Sequence, residues 1–492
     1  MFASQITTPS GAESATRSQH VYRHIGIGVA ALTLAGGIWF GLPELSAHAR
    51  WAFIIFGLAV IGWCFTSIND TYIALAAALA PGVIGIDTPN GFFEGLGDSM
   101  IWLLLAAFMI AAAVNASGLS QRLTMAVAKG AHSIKHLFFG LTAIMLVTAF
   151  VIPSTSGRAA LMIPVFMALS AAIGNPRITR ALALLFPTVI LLSAIASLFG
   201  AGAHLVMTGM LWNMTGERIG FGEWMMLGLP FALVSCFVSA WVILRLFLTP
   251  EERNQPLTPG LTGDVVKGAG ALSPQERYML IMVTALVTLW ATESLHGMNS
   301  TLVAVVGALA VTAPRFGVIS FAAAIKKVEW NLLIFMAATL ALGELLVESG
   351  GAKWLAENAF AMLQGGAASS AWPVISVVAL VSLLSHLLIT SRTTRSSVLV
   401  PIVVLLAVSL GYDPAGLAFL STVAAGFCLT LMVSAKPVTM FSQLDIPTYT
   451  QQDLLRLSAI LLPIHFGLLV VFAFLVWPLL GLDFTAQTTP KP

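Results

Sequence analysis

The chain has 492 residues, of which 58% are hydrophobic and only 9% are Asp, Glu, Lys or Arg, against about 25% charged residues in soluble domains. One soluble core cannot absorb that much apolar surface, whereas a lipid bilayer can. A formal net charge of +2 implies no nucleic-acid partner, and the three cysteines, Cys64, Cys236 and Cys428, lie in apolar stretches without metal-ligand spacing, so they read as buried helix residues with neither disulfide nor metal.

From the start of the chain, residues 1–24 are polar and read as a cytoplasmic tail carrying Arg17, His20, Arg23 and His24. Ile25 to Pro43 is uncharged and has no evident cleavage site, so it predicts a first spanning helix and not a leader. A span needs roughly 20 apolar residues, and runs of that kind predict full spans at 25–43, 51–69, 70–86, 99–117, 181–213, 225–248, 278–296, 299–314, 331–348, 414–442 and 457–480. Two more apolar stretches, 137–174 and 370–411, carry polar residues in their middle and divide into limbs too short to cross. They predict re-entrant hairpins. The expected fold is an all-α polytopic membrane protein with about 11 transmembrane helices plus the two hairpins.

This arrangement places 15 of the 23 Lys and Arg on one side and Arg50, Arg218, Lys353 and Lys491 on the other, with Arg158, Arg392, Arg395 and Lys436 within membrane segments. The bias puts the N-terminus in the cytoplasm and the C-terminus outside, in a bacterial inner membrane. A polar cytoplasmic linker, 249–277, separates a first half (25–248) from a second (278–482), and 483–492 forms an external tail.

The halves repeat. Pro153-Ser154-Thr155-Ser156-Gly157-Arg158 precedes Pro164, and Thr390-Ser391-Arg392-Thr393-Thr394-Arg395 precedes Pro401; 154 to 391, 158 to 395 and 164 to 401 share one offset of 237. The helices that lead into the hairpins run in opposite directions, so the repeats are inverted, as in secondary transporters. Ser197 to His204 and Ser434-Ala435-Lys436-Pro437 interrupt the helix after each hairpin, and unwound backbone at membrane depth lines binding cavities.

Short helices follow the tips, and their N-termini favour anions. Ser154, Thr155, Ser156, Ser391, Thr393 and Thr394 add hydroxyls; the plainer role for each is to cap its helix. Arg158, Arg392, Arg395 and Lys436 are cations within membrane segments, where charge is expensive and usually functional; the plainer role is snorkelling or pairing with a buried acid. Guanidinium matches carboxylate and sulfate geometry, so the clusters predict a site for a small anion of at least two charges. His204 is a candidate for a proton step or a substrate hydrogen bond, with a structural role as the alternative. Asp70, Glu293 and Glu344 lie in or beside spans and are candidates to pair with an arginine.

Together these features resemble the divalent anion/sodium symporter family, a group of the ion transporter superfamily that carries dicarboxylates, citrate and sulfate, over about Val21 to Leu482. In that family each tip reads Ser-Asn-Thr and binds sodium and a substrate carboxylate. The matching triplets here are Ser154-Thr155-Ser156 and Ser391-Arg392-Thr393, without either asparagine. The family's Thr-Pro segments correspond to Gly200 to His204 and Ala435-Lys436-Pro437, with Ala203 and Lys436 in place of the threonines. The resemblance implies an elevator carrier, a homodimer, and substrate contacts at the tips and at Lys436 and Pro437. It implies coupling-ion positions at Ser154, Gly200, Gly202, Thr390 and Ala435, with sodium expected, if at all, at the first tip. Arg392 would set a fixed charge where a second sodium would sit, which favours exchange or proton coupling.

A cation/proton or arsenite-type antiporter of the same superfamily is an alternative, disfavoured because the acids lie away from the tips in the sequence. A passive anion channel is another. No carboxylate pair, His cluster or nucleophile–base motif of a membrane enzyme appears.

Overall fold

In hydrocarbon every backbone N–H and C=O needs a partner within the protein, and an apolar chain meets that demand with helices. The computed structural model describes residues 11–86, 90–119, 122, 131–257, 271–351, 353–354, 371–482 and 484, with no strand among them. The principal helices of the first half are α1 (Gly11–Gly41), α2 (Ala47–Phe65), α3 (Asp70–Ile84), α4 (Ser99–Ser117), α5 (Ile134–Thr148), α6 (Thr155–Ile173), α7 (Pro176–Ser193), α8 (Gly202–Thr215) and α9 (Phe221–Phe247). Those of the second half are α10 (Pro274–Ala291), α11 (Ser300–Val311), α12 (Trp330–Glu348), α13 (Ala371–Leu384), α14 (Arg392–Leu410), α15 (Pro414–Ala424), α16 (Lys436–Ser442) and α17 (Gln451–Val471). Among the described residues, eight helices are long and apolar enough to cross a membrane: α2, α4, α6, α7, α9, α12, α14 and α17.

Several expected boundaries move. α1 begins at Gly11 and not at Ile25, because no proline or glycine stops the helix between 12 and 25. The stretches 70–86 and 299–314 form α3 and α11, of 15 and 12 residues, or about 22 and 18 Å. The limbs of the two expected hairpins are not all too short to cross: α6 and α14 have 19 residues each, about 28 Å, because the polar tips sit off-centre and the helices run through Pro164 and Pro401 without ending. Residues 1–10, 258–270, 483 and 485–492 of the expected tails and linker lie outside the described residues, as do Lys129, Lys267 and Lys491.

The offset of 237 joins like to like. α6 and α14 start at N-caps Ser154 and Ser391, whose hydroxyls accept from the N–H groups of Gly157 (3.1 Å) and Thr394 (3.3 Å). They end at Gly174 and Gly411, at φ 64 and 72, where a residue without Cβ is unstrained. Packing also exchanges between halves: α4 lies on α11 and α12 on α3, while α8 lies on α14 and α16 on α6. Two groups result, α1–α4 with α10–α12 and α5–α9 with α13–α17, which meet chiefly where α8 lies against α12. At the centre of the second group, α7 is buried at every residue from Ala181 to Ser193. A helix apolar on all sides suits that place.

Helix α9 passes so close to the end of α7 that a Cβ on Gly228 would lie 2.1 Å from the carbonyl oxygen of Ile195. Gly228→Ala is therefore expected to destabilise the protein by about 1–3 kcal/mol, seen as a lower apparent melting temperature in detergent. Gly467→Ala, on α17 with nothing within 4 Å of the added carbon, is expected to leave it unchanged or slightly raised. Equal melting temperatures for the two variants would refute the close approach.

Candidate functional site

Both tips and both helix interruptions open onto one cavity of about 440 Å³. Pro153 to Ser156 form one side and Thr390 to Thr393 another. Ala201, Gly202 and Ala203 line it at the start of α8, and Ala435, Lys436 and Pro437 at the start of α16. Ala201 and Ala435 adopt nearly the same extended backbone (φ −156 and −158, ψ 147 and 148) and neither caps its helix with a side chain. The first N–H groups of α8, a 14-residue helix, are thus left without a side-chain cap beside the cavity. The remaining wall comes from the other packing group: Asn69, Asp70 and Thr71 at the start of α3, and Glu329, Asn331, Leu332 and Phe335 at the start of α12.

The interruption between α7 and α8 exposes carbonyls that side chains then satisfy. Arg158 donates to the Ile190 carbonyl, and to the oxygens of Met145 (3.3 Å) and Ser193 (3.0 Å, Oγ). Arg392 Nη1 donates to the Leu191 carbonyl (3.3 Å), Trp224 Nε1 to Ile195 (2.9 Å), and the His204 Nδ1 edge meets the Ser197 carbonyl (3.1 Å). Gly200 is obligatory in this turn, since a Cβ would fall 1.9 Å from the Ala194 oxygen. Between α15 and α16 the partners differ. Gln451 accepts from Met432 N (3.0 Å) and donates to Thr430 O (2.8 Å), Ser434 Oγ accepts from Leu431 N (2.8 Å), and Thr439 donates to Met432 O (2.8 Å). His386 Nε2 lies 2.8 Å from Thr430 Oγ1, which lies 2.7 Å from Ser458 Oγ.

Of the residues singled out from the sequence, Ser154, Thr155, Ser156, Thr390, Ser391, Arg392, Thr393, Ala435, Lys436, Pro437 and Gly202 line the cavity. Arg158, Arg395, Gly200 and His204 do not line it. Both repeat-matched arginines are fully buried; Arg158 caps the end of α7, and Arg395 Nη2 donates to Cys428 Sγ (2.6 Å). They act behind the site, because each points from its tip helix toward the neighbouring interrupted helix. His204 is buried with Nε2 3.0 Å from Arg392 Nη2. Cys428, expected in a helix, lies in the irregular segment between α15 and α16. Among the described residues Asp70 pairs with no arginine; its Oδ2 accepts from Thr394 Oγ1 (2.7 Å), so an acid does reach the second tip. Glu293 bonds to Ser300. The 324 positions between Asp70 and Thr394 hid that contact from sequence reasoning. Asn69, Glu329, Asn331 and Gln451 were missed; the first three had as sequence signal a position beside a predicted helix start, whereas Gln451 lies six residues before the expected span at 457.

Residues 27–482 match the sodium:sulfate symporter transmembrane region. The chain is 24% identical over 467 residues to a sodium-dependent dicarboxylate transporter, SdcS, of Staphylococcus saprophyticus, covering 88% of each chain. It is 24% identical over 408 residues to the citrate/succinate antiporter of Escherichia coli strain K12, covering 79% of this chain and 80% of the other. Among solved structures, the YdaH transporter of Alcanivorax borkumensis superposes with a TM-score of 0.54 at 15% identity, over 88% of this chain and 98% of that one, which shows a common fold.

The split between buried and cavity-lining cations has a measurable consequence. Arg158→Met strands buried carbonyls at the end of α7 and is expected to cost about 2–3 kcal/mol. It should lower the apparent melting temperature by several degrees. Lys436→Gln, at an exposed cavity position, is expected to leave stability within about 0.5 kcal/mol of the parent. An unchanged melting temperature for Arg158→Met would overturn the structural role of that arginine.

Proposed function

Because the chain belongs to the sodium:sulfate symporter family, we propose that it is a secondary carrier of small di- and tricarboxylates or sulfate, working as a sodium-independent anion exchanger. The observation that carries this reading is the cavity itself: Arg392 and Lys436 share it with the hydroxyls of both tips and with the uncapped start of α8. Two cations at the starts of different helices suit a substrate with two anionic ends, and a guanidinium fork suits carboxylate or sulfate oxygens. The likeness to the citrate/succinate antiporter supports the substrate class and the exchange mode.

Sodium independence is supported by where the guanidinium groups lie. Broken-helix carbonyls at a C-terminal end are natural ligands for a small cation, but the Ile190 and Leu191 carbonyls are already bonded to Arg158 and Arg392. A sodium ion beside Arg392 would also meet a fixed like charge in low dielectric. An elevator motion is supported by the two packing groups, with tips and interrupted helices in one and α1–α4 with α10–α12 in the other. In the proposed homodimer, with N-termini cytoplasmic in an inner membrane, the starts of α3 and α12 are cytoplasmic ends. The cavity they line then faces the cytoplasm. A second reading, a proton- or cation-coupled carrier, is favoured by one contact, Asp70 with Thr394 at the second tip.

Purified protein in proteoliposomes separates these readings. Uptake of radiolabelled succinate, citrate or sulfate is expected to require unlabelled anion inside and to be indifferent to a sodium gradient. Failure to move any of the three overturns the carrier proposal; uptake that collapses without sodium overturns the exchanger; uptake driven by a proton gradient and abolished by Asp70→Asn establishes the second reading. Lys436→Gln is expected to raise the apparent KM for the exchanged anion about tenfold or more, and an unchanged KM would remove Lys436 from the site.

A further inference from the structure

We propose that His204 is a positioning residue, a neutral imidazole that fixes the Arg392 guanidinium in the cavity wall and carries neither substrate nor proton. The proposal deepens the anion-carrier reading and rests on it. His204 sits at the start of α8, fully buried and outside the cavity lining. Arg392 stands on the cavity wall at the second tip, 188 positions away in sequence.

Donor chemistry determines the proton positions. Guanidinium nitrogens only donate, so at 3.0 Å from Arg392 Nη2 the His204 Nε2 must accept. A carbonyl oxygen only accepts, so at 3.1 Å from Ser197 O the Nδ1 must carry hydrogen. One neutral tautomer satisfies both contacts. An imidazolium would set N–H against N–H and place two positive charges side by side in low dielectric. The ring cannot easily turn away: Trp224 stacks on it with centroids 4.8 Å apart and planes 30° apart, and is itself pinned through Nε1 to the Ile195 carbonyl. Arg392 is equally confined. Its second anchor is the Leu191 carbonyl, and Gly426 passes so near that an added Cβ would lie 2.8 Å from Nη2. The clasp therefore joins a second-half tip to a first-half helix and fixes the position of a charge in the cavity wall.

The test is anion counterflow in proteoliposomes with the full-length protein, using radiolabelled succinate, or citrate or sulfate if exchanged faster. His204→Leu is expected to raise the apparent KM about tenfold and to change Vmax by less than about twofold. His204→Gln keeps an acceptor for Nη2 and is expected to recover KM to within about threefold of the parent. In an Arg392→Lys background no fork remains to be fixed, so His204→Leu should add less than about twofold. Melting temperatures recorded for each variant separate misfolding from mispositioning, and the His204→Gln comparison holds even if His204→Leu folds poorly. Equal losses in both backgrounds, a His204→Gln as impaired as His204→Leu, or lower Vmax at unchanged KM would overturn the proposal. So would proton-driven uptake that His204→Gln abolishes. Wild-type protein that exchanges none of the three anions overturns the carrier reading and this inference with it, whereas exchange with additive losses overturns this inference alone.

Discussion

A helix interrupted inside a bilayer leaves carbonyls that no water can satisfy, and the rest of the site follows from how those at the end of α7 find donors. Arg158, Arg392, Trp224 and His204 each take one. Three of the four donors belong to the first half and the fourth to the second. The break that opens the cavity is thus also where the halves are tied together. Burial of α7 on every side leaves Arg158, Trp224 and His204 as buried donors, while Arg392 bonds at the cavity wall.

The two halves use one backbone plan with different chemistry. Ala201 and Ala435 share a conformation, and Ser154 and Ser391 cap equal helices. Yet the second interruption relies on amide and hydroxyl partners, Gln451, Thr439 and Ser434, where the first relies on arginines and aromatic N–H groups. Equivalent tip positions hold Thr155 and Arg392. The cavity is therefore chemically lopsided although its frame is repeated, and one side presents a fixed charge where the other presents hydroxyls.

Resident charge shapes what the cavity can hold. Arg392 and Lys436 face it together with Asp70 and Glu329, and the acids come from the packing group that the tips do not belong to. In the proposed carrier, the cations would travel with the anion while the acids stay with the other packing group.

Membrane insertion, helical class, the repeat and the tip residues were legible in the sequence, because apolar runs, interruptions and a constant offset are local patterns that the bilayer enforces one segment at a time. The family resemblance was legible for the same reason. Helix lengths at α1, α6 and α14 were less so, since propagation past a polar stretch or through Pro164 and Pro401 leaves little local trace. Tertiary structure alone decided which charges reach the cavity. Arg158 and Arg395 match each other in the repeat but turn inward, whereas Arg392, matched by Thr155, lines the cavity; Asp70 meets Thr394 across most of the chain, and His204 faces Arg392 instead of the cavity. Side-chain direction depends on which acceptors a neighbouring helix leaves open, and no spacing within one segment encodes that.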